Sequence, residues 1–496
     1  MTNQQLLDYI VGQRSRGVSD TEIRNAMLTV GWKAEDLDGL LLKKTKKNWK
    51  RYVLFFGCFL VVLVIFVVIA LSFLPNILSI LKPGDAELVD DTNLQLSKIT
   101  VLDEENGFYD LDKITDEIIY EPGDYYQRLL DTVNYNEAPP WDLVFAEDLI
   151  ANNQEALNLF YQAAEKDHIQ MPAYMDPANL GIDSPLYQMG NYRVVARIVA
   201  VNAQRLSRAD RPDDALREAV KLNKIGHKLI NGQNNFIAIF VGIAIQKLGT
   251  ETIHKILRFG NPSKEVLMEV SETVGISSDN LEGYKNGYGF EYTNIVNTIV
   301  STINAPIEEK MQALSQETSA GKYSDRLGHS YYYKPNQTKN LYANLYLPQV
   351  NAVGNVCQLD ELERDLSQFQ SSLYDDTWKI IFEENAIGKL LFSVTVITLS
   401  GSLEQQCLND FASAAVQTEL AIRAYKLDNN ILPTSLNELV PLYFGQVPLD
   451  PFDHEPIRYS VEKQIIYSVG VGEVDLGGSM GNDWTQMENP TFKMEF

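Results

Sequence analysis

Cysteine, histidine and basic residues are all scarce in this chain. Three cysteines and five histidines among 496 residues exclude a disulfide-built scaffold and the zinc modules that hold their ion with several cysteines. Lysine and arginine number 42 against 66 aspartates and glutamates, which leaves a formal net charge of −24. Because nucleic-acid phosphates are bound by clustered lysine and arginine, this acidic excess argues against a nucleic-acid partner.

Catalytic signatures are also sparse. The histidines are never spaced four residues apart, and the chain has no His-Glu-x-x-His, Walker loop or Rossmann fingerprint. Ser-x-x-Lys matches include those that begin at Ser79 and Ser460, but no Lys-Thr-Gly accompanies them. We expect a protein that binds or assembles rather than catalyses. The alternative is an extracytoplasmic hydrolase whose site is assembled from residues that are distant in sequence.

One long hydrophobic run stands out. Residues 52–74 contain 23 consecutive residues without a charge, and about 20 apolar residues suffice for a helix to cross the hydrocarbon core. A cleaved signal peptide is the competing interpretation, but its apolar region is roughly 7–15 residues long and lies near the chain start. Here 51 residues precede the run. The pattern therefore predicts a transmembrane helix over 52–74.

The flanks of this run predict its orientation. Five lysines and one arginine lie between Lys43 and Arg51, whereas aspartates and a glutamate follow between Asp85 and Asp91. Positive charge stays on the cytoplasmic side, so residues 1–51 should be inside and residues 75–496 outside. Residues 1–51 carry a net charge of +4, which leaves −28 for the rest. We expect the lipid bilayer and an envelope or membrane protein as partners.

Residues 1–45 predict a small cytoplasmic three-helix bundle. Ser19 and Glu22 form the sequence of a capping box, and Gly17 and Gly31 separate the helical patterns. The arrangement is similar to the three-helix bundles of the ubiquitin-associated type, without implying ubiquitin. Two roles remain open: a docking head for a cytoplasmic partner, or a passive cap that helps insertion.

Residues 75–130 predict an acidic stalk and the first folded elements, and residues 131–400 predict a large α-helical extracytoplasmic domain. In one helix hairpin, Asp210 is a candidate cap and Pro212 fits the first turn. A repeat solenoid and an irregular bundle are both compatible with this pattern. The apolar runs Phe236–Ile245 and Leu390–Leu399 are ten residues long, too short to span a bilayer, so we expect buried core elements.

Tyrosine and cysteine add two further expectations. The segment from Gly283 to Tyr346 is rich in tyrosine, and ordinary packing explains it better than stacking on a ligand. Cys58 lies in the predicted span, whereas Cys357 and Cys407 both lie on the oxidising side. A Cys357–Cys407 disulfide is possible there, and two buried free thiols are the alternative.

Residues 401–496 predict a small α/β module. A helix over 409–427 ends before Pro433, a turn-rich block covers 447–453, and alternating residues predict strands at 457–461 and 465–469. This order resembles the globular part of type II secretion pseudopilins. The matching positions are Tyr425, Pro433, Leu436, Asp450, Pro451, Phe452, Tyr459, Tyr467, Ser468, Gly470, Gly477 and Gly478.

The resemblance covers residues 412–484 and implies a shared fold module in a bacterial envelope protein. The chain also resembles large, poorly characterised bacterial membrane proteins that carry such a tail behind a helical region. It departs from pseudopilins elsewhere, because its span contains no glutamate and 51 residues precede it. The resemblance therefore does not imply a filament subunit.

A calcium site is implied only by this resemblance. In such pseudopilins the last loop holds calcium through acidic side chains and carbonyls, and oxygen ligands suit that ion. Asp475 and Asp483 lie in the corresponding stretch and are the candidate ligands. The usual Asp-Gly before the double glycine is replaced here by Gly472-Glu473-Val474. A solvated acidic loop is the alternative.

Together these patterns predict a mainly α protein of the bacterial cytoplasmic membrane. It has a three-helix bundle, one transmembrane helix, a large helical extracytoplasmic domain and a pseudopilin-like α/β tail.

Overall fold

The computed structural model divides the chain into two compact units, Met1–Leu78 and Ser79–Phe496. The residues described are 3–41, 60–67, 69, 73–74, 77–78, 80–81, 84–96, 99–119, 123–134, 141–172, 189–277, 279–304, 331–354, 383–395, 400–479, 485 and 488–496. The described part of the chain is mainly helical, with a small sheet of three strands.

The first unit begins with three helices, α1 (Asn3–Ser15), α2 (Asp20–Thr29) and α3 (Ala34–Leu41). The predicted capping box is present: the backbone N–H of Glu22 donates to Ser19 Oγ at 3.3 Å, and the backbone N–H of Ser19 donates to Glu22 Oε2 at 3.0 Å. A shared apolar core contains Leu6, Ile10, Ile23, Met27 and Leu37.

Part of the predicted span also belongs to the first unit. Residues 60–67 are helical, and their apolar side chains are exposed by fractions from 45% for Leu60 to 68% for Phe66. Most of the remaining residues of 52–74 lie outside the described residues.

The second unit contains twelve described α-helices, three strands and three described 3₁₀ helices, Thr92–Leu94, Asp103–Glu105 and Leu436–Leu439. The helices are α4 (Phe108–Glu117), α5 (Asp124–Val133), α6 (Leu143–Asn152), α7 (Gln154–Glu165), α8 (Met189–Arg208), α9 (Pro212–Asn231), α10 (Phe236–Phe259), α11 (Lys264–Ser277), α12 (Leu281–Asn304), α13 (Pro335–Ala352), α14 (Ala386–Thr395) and α15 (Ser400–Asn429). The strands are β1 (Arg458–Ser460), β2 (Ile465–Tyr467) and β3 (Thr491–Lys493).

Helix α10 is the central element of this unit. It packs against α8 and α9, and it supplies side chains to three apolar cores. One core is shared with α4–α9, the second with α12–α14, and the third with α11, α15 and the sheet. Among the described residues, α10 is the one helix long and apolar enough to cross a membrane, but its most apolar window is 67% buried. This burial fits a core helix and agrees with the expectation for Phe236–Ile245.

Glycines allow α9 and α10 to approach very closely. A Cβ atom added to Gly226 would lie 2.6 Å from the carbonyl oxygen of Gly242, and one added to Gly242 would lie 2.8 Å from the carbonyl oxygen of Gly226. Farther along, a Cβ atom at Gly249 would lie 2.4 Å from Asn223 Oδ1. Two helix backbones can meet at this distance only where neither residue has a side chain.

The predicted stalk is partly attached to the helical unit. The Asp85 carboxylate accepts the backbone N–H groups of Asn336 at 2.7 Å and Gln337 at 3.1 Å, at the N-terminus of α13. An acidic side chain is favourable there because the helix dipole is positive at this end. Asn340 then donates to the carbonyl of Glu87 at 2.7 Å. The predicted boundaries at residues 131 and 401 likewise fall inside one compact unit.

The helix hairpin of α8 and α9 is present, with one correction. Pro212 is the first residue of α9 as predicted, but the predicted cap at Asp210 is wrong, because Arg211 occupies the N-cap position. Asp210 instead has a φ of 57°, a left-handed conformation in the turn between the helices. Aspartate is one of the few non-glycine residues that enter this region readily.

The C-terminal region contains the predicted helix and hairpin. Strands β1 and β2 pair antiparallel as predicted, and β3 adds a third strand beside β2 that the sequence pattern did not predict. Ile466 in the central strand pairs with Tyr459 on one side and with Phe492 on the other. Ile466 and Phe492 are buried in the core shared with α15, so the sheet packs on the helical unit.

Asp450 holds the predicted Asp-Pro turn together. Its buried carboxylate accepts from the Ser468 hydroxyl at 2.8 Å and from the guanidinium of Arg458 at 2.7 Å. The backbone N–H groups of Phe452 and Val469 donate to the same carboxylate at 3.1 and 3.0 Å. A buried charge is tolerated when its oxygens are paired in this way.

Replacing Gly226 with alanine tests the close approach of α9 and α10. The new methyl group would meet backbone, so Gly226→Ala should lower the free energy of unfolding by about 1–3 kcal/mol. Gly190→Ala is the matched control, because a Cβ atom at this helical glycine meets no described residue within 4 Å. It should leave stability unchanged or raise it by up to about 1 kcal/mol. Urea unfolding of the purified full chain measures both, and equal effects would contradict the close contact.

Candidate functional site

A cleft of about 400 Å³ lies between α11, α15 and the loop 444–451. Asp410, Ala414 and Gln417 line it from α15, where spacings of four and three residues place them on one face of the helix. Gly275 lines it from α11, and a Cβ atom there would lie 2.3 Å from Gln417 Nε2. The glycine therefore leaves the space in which the Gln417 amide lies against α11.

Asp410 is the unusual group in this cleft. Its Oδ1 is sealed from solvent and has no hydrogen-bond partner among the described residues. Burial raises the pKa of the Asp410 carboxyl from an ordinary 3.8 to about 8, contact with Asn280 opposes this rise, and the charge of Asp279 adds to it. At pH 7 the carboxyl is therefore mainly protonated and can donate one hydrogen bond while accepting others.

A network of buried amides lies behind the cleft. Gln246 of α10 accepts through Oε1 from Asn409 Nδ2 at 2.7 Å and from Asn280 Nδ2 at 3.1 Å. Its own Nε2 donates to the carbonyl of Ser277. One glutamine thus joins α10 to the end of α11, to the residue before α12, and to α15 at the position preceding Asp410.

The network continues toward α9. Asn231 Nδ2 lies 3.2 Å from Asn280 Oδ1 and 3.0 Å from His227 Nδ1. Burial lowers the pKa of His227, so its imidazole is neutral at pH 7. Asn231 also accepts the backbone N–H of Gly283 at 3.0 Å. The groups behind Asp410 are thus mainly uncharged amides and rings.

Two further buried polar atoms lie beside Asp410. Asn409 Oδ1 and the Tyr284 hydroxyl are sealed from solvent without a well-aligned hydrogen bond to any described residue. Burial raises the pKa of Tyr284 well above its usual value, so it is a neutral phenol. Neither residue is among those that line the cleft, so these neutral groups belong to the surroundings of Asp410.

The described part of the tyrosine-rich segment packs as expected. Tyr284, Tyr288 and Tyr292 are buried along α12, and all three contribute their rings to the core shared with α10 and α13. The hydroxyl of Tyr292 donates to Asp91 at 2.7 Å. These rings are therefore part of the core and offer no exposed face to a ligand.

The predicted calcium loop is held by protein groups where it is described. Asp475 accepts the backbone N–H of Gly477 at 2.8 Å. Asn489 Nδ2 donates to the carbonyls of Val469 and Val474 at 2.8 and 2.9 Å, and Lys463 donates to the carbonyl of Gly477 at 2.7 Å. These bonds hold the loop through its backbone carbonyls.

The other predicted ligand, Asp483, lies outside the described residues. In the parts of the chain that are described, no group of three or more histidine, cysteine, aspartate or glutamate side chains is placed to hold a metal ion. The calcium site stays a prediction.

Of the predicted cysteine pair, Cys407 lies among the described residues and Cys357 does not. Cys407 is buried and forms a disulfide, but Cys357 and Cys58 lie outside the described residues. The Cys357–Cys407 pairing therefore stays a prediction.

An acid–base pair exists that the sequence did not indicate. His254 Nδ1 lies 2.6 Å from Glu419 Oε2, and Arg423 contacts the other oxygen of this carboxylate at 3.0 Å. The imidazole also packs edge-on against Phe492. Glu419 is buried, and no described serine or cysteine bonds to His254, so the pair joins α10 to α15 without a nucleophile.

One further serine lies in a Gly-x-Ser-x-Gly sequence, residues 477–481. Its Ser479 hydroxyl accepts the backbone N–H of Asn489 at 3.1 Å, and its backbone N–H donates to Thr491 Oγ1 at 3.0 Å. The serine lies between the glycine loop and β3, whereas a nucleophile elbow requires a strand-to-helix turn. It is therefore a loop-forming residue.

Sequence reasoning missed Asp410, Gln246, Asn280 and Asn409. The available signal was weak: polar side chains stand at core-facing positions of apolar helices, as Gln246 does directly after the run Phe236–Ile245. A buried polar side chain at such a position requires a hydrogen-bond partner, but the sequence does not indicate which residue provides it.

The raised pKa of Asp410 predicts a specific pH dependence. Between about pH 4 and pH 8 the folded protein keeps a proton that the unfolded chain has lost, so this group makes stability fall as pH rises through that window. Asp410→Asn removes the titration. The variant should gain stability over the natural chain by a few kcal/mol, progressively from pH 5 to pH 8.

Urea unfolding at several pH values measures this difference. Asp428→Asn is the control, because Asp428 is an exposed carboxylate whose pKa is lowered by Lys264. Its difference from the natural chain should be constant from pH 5 to pH 8. A constant difference for Asp410→Asn as well would show that Asp410 is ionised in the folded protein.

Comparisons with known proteins give no relative. No family model, no curated protein and no solved structure matches this chain. The function has to be inferred from the residues themselves.

Proposed function

We propose that this protein is a single-pass protein of the bacterial cytoplasmic membrane with a non-enzymatic binding or assembly role. Residues 1–51 lie in the cytoplasm, residues 52–74 cross the bilayer, and the acidic helical unit lies outside. The basic flank from Lys43 to Arg51 and the net charge of −28 that remains beyond residue 51 support this orientation.

The observation that supports a membrane anchor over residues 52–74 is the contrast between two apolar helices. α10 buries its apolar residues in three cores of the second unit. Residues 60–67 are equally apolar, yet each of their side chains is exposed. A helix of this composition is stable in lipid and unfavourable in water, because each buried CH₂ group gains about 0.8 kcal/mol.

The binding role is supported by the chemistry of the Asp410 cleft. It combines a protonated carboxyl, an amide and uncharged walls, which suit recognition of a neutral group. The resemblance of residues 412–484 to pseudopilins also favours a role at the cell envelope. For the bundle α1–α3, a docking head for a cytoplasmic partner and a passive cap that helps insertion are both compatible with this proposal.

Hydrolysis is the second candidate, and the observation that favours it is the His254–Glu419 pair. A histidine oriented by a buried carboxylate is one part of a nucleophilic site. The described residues supply no serine or cysteine in contact with this histidine. Binding therefore remains the better supported role.

Protease accessibility tests the proposed orientation. In spheroplasts with an intact cytoplasmic membrane, added protease should digest the acidic unit and spare an epitope tag placed at the N-terminus. Exchanging the lysines at 43, 44, 46, 47 and 50 for glutamine should allow a fraction of the chains to insert in reverse, because these charges set the orientation. Immunoblots against both ends measure the result. A protected acidic unit in intact spheroplasts would contradict the proposal.

A further inference from the structure

The Asp410 cleft has the geometry of a site for a short stretch of chain. Asp410 and Gln417 mark its two ends on α15, and Ala414 forms the floor between them. Seven residues of helix place these ends about 10 Å apart along the axis. An extended polypeptide covers the same distance in about three residues, at roughly 3.3 Å per residue.

We propose that this cleft binds a short, uncharged, extended peptide segment through hydrogen bonds to the peptide backbone. This assignment names the ligand class for the binding role proposed above and rests on it. The volume of about 400 Å³ lies at the small end of ligand sites and suits a segment of this length.

Hydrogen-bonding capacity at both ends matches a peptide group. A protonated carboxyl offers one donor and one acceptor, and the Gln417 amide offers two donors and one acceptor. A peptide group presents one N–H and one C=O, so the two ends together offer partners for both. Every other lining residue is uncharged, including Gly275, Gln446 and Leu449, so nothing in the cleft balances a charge on the ligand.

The loop that closes the cleft supplies further backbone groups. Among the described residues, the N–H and C=O groups of Gly445, Gln446 and Val447 make no hydrogen bond. The next residues form a bridge between Leu449 and Pro456, so the loop runs into strand-like pairing. An extended ligand can continue such pairing with its own backbone, as in strand-addition binding.

A sugar is the less suitable ligand. Sugar rings commonly lie on exposed aromatic faces, and the one aromatic residue among those that line the cleft, Phe444, is only 8% exposed. Pro448 and Pro451 provide apolar walls without a flat aromatic surface.

The test uses the full chain in lipid nanodiscs and N-acetyl-trialanine amide as the probe. Isothermal calorimetry at pH 6.5 should show saturable binding of millimolar affinity. Asp410→Ala and Gln417→Ala should each weaken it by about tenfold, because each removes the partner of a peptide group. Asp428→Ala, a change on the same helix outside the cleft, should leave affinity unchanged.

Asp410→Asn provides a variant that keeps both hydrogen-bonding functions. It should bind within about threefold of the natural chain, since an amide replaces the protonated acid. Above pH 8 the natural chain should lose affinity as Asp410 ionises, whereas Asp410→Asn should not. The titratable groups that face Asp410 are Asp279, before α12, and Tyr284, on α12. Both are retained in the variant, so a difference in pH profile belongs to Asp410.

Ala414→Phe fills the cleft between the two polar ends and should abolish binding; its melting curve, like those of the other variants, checks folding. The proposal is overturned if the peptide does not bind saturably, if the Asp410 and Gln417 variants bind as well as the natural chain, or if N-acetylglucosamine binds in its place with dependence on Asp410. Each of these results leaves the membrane orientation intact, because protease accessibility measures that separately.

Discussion

A buried amide is most stable when its polar atoms are hydrogen-bonded, and Gln246 finds its partners on elements that are far apart in sequence. Its side chain is fully buried, and it contacts Asn280, Asn409 and Ser277. A buried donor or acceptor left without a partner costs about 1–3 kcal/mol. The arrangement of lowest free energy is therefore the one in which α10, α15 and the junction of α11 with α12 meet around this glutamine. The glycine contact of α9 with α10 fixes the other side of the same helix.

The candidate site is a consequence of this junction. Asn409 is held by Gln246, so its neighbour Asp410 is directed to the edge of the core, where the cleft opens beside α11. The surroundings are amides and rings, which stabilise a protonated carboxyl and penalise a carboxylate. The recognition chemistry thus follows from a packing requirement, and a peptide backbone is a ligand that needs no charge.

Local patterns in the sequence predicted the local elements. The capping box at Ser19, the core helix beginning at Phe236 and the hairpin β1–β2 depend on residues close together in the chain. The missed features depend on distance: Asn409 and Gln246 are 163 residues apart, and the Asp85 cap on α13 bridges 251 residues. The sequence pattern did not predict strand β3, because three residues are too few to establish an alternating pattern.

Hydrogen–deuterium exchange on a Gln246→Met variant tests the central junction most directly. Methionine keeps the length and volume of the side chain but removes its hydrogen bonds. If Gln246 joins the elements, exchange should accelerate together in α10, around residues 277–284 and along residues 405–417, while α1–α3 remain unchanged. Acceleration confined to the turn of α10 around residue 246 would show that the amide network does not hold these helices in place.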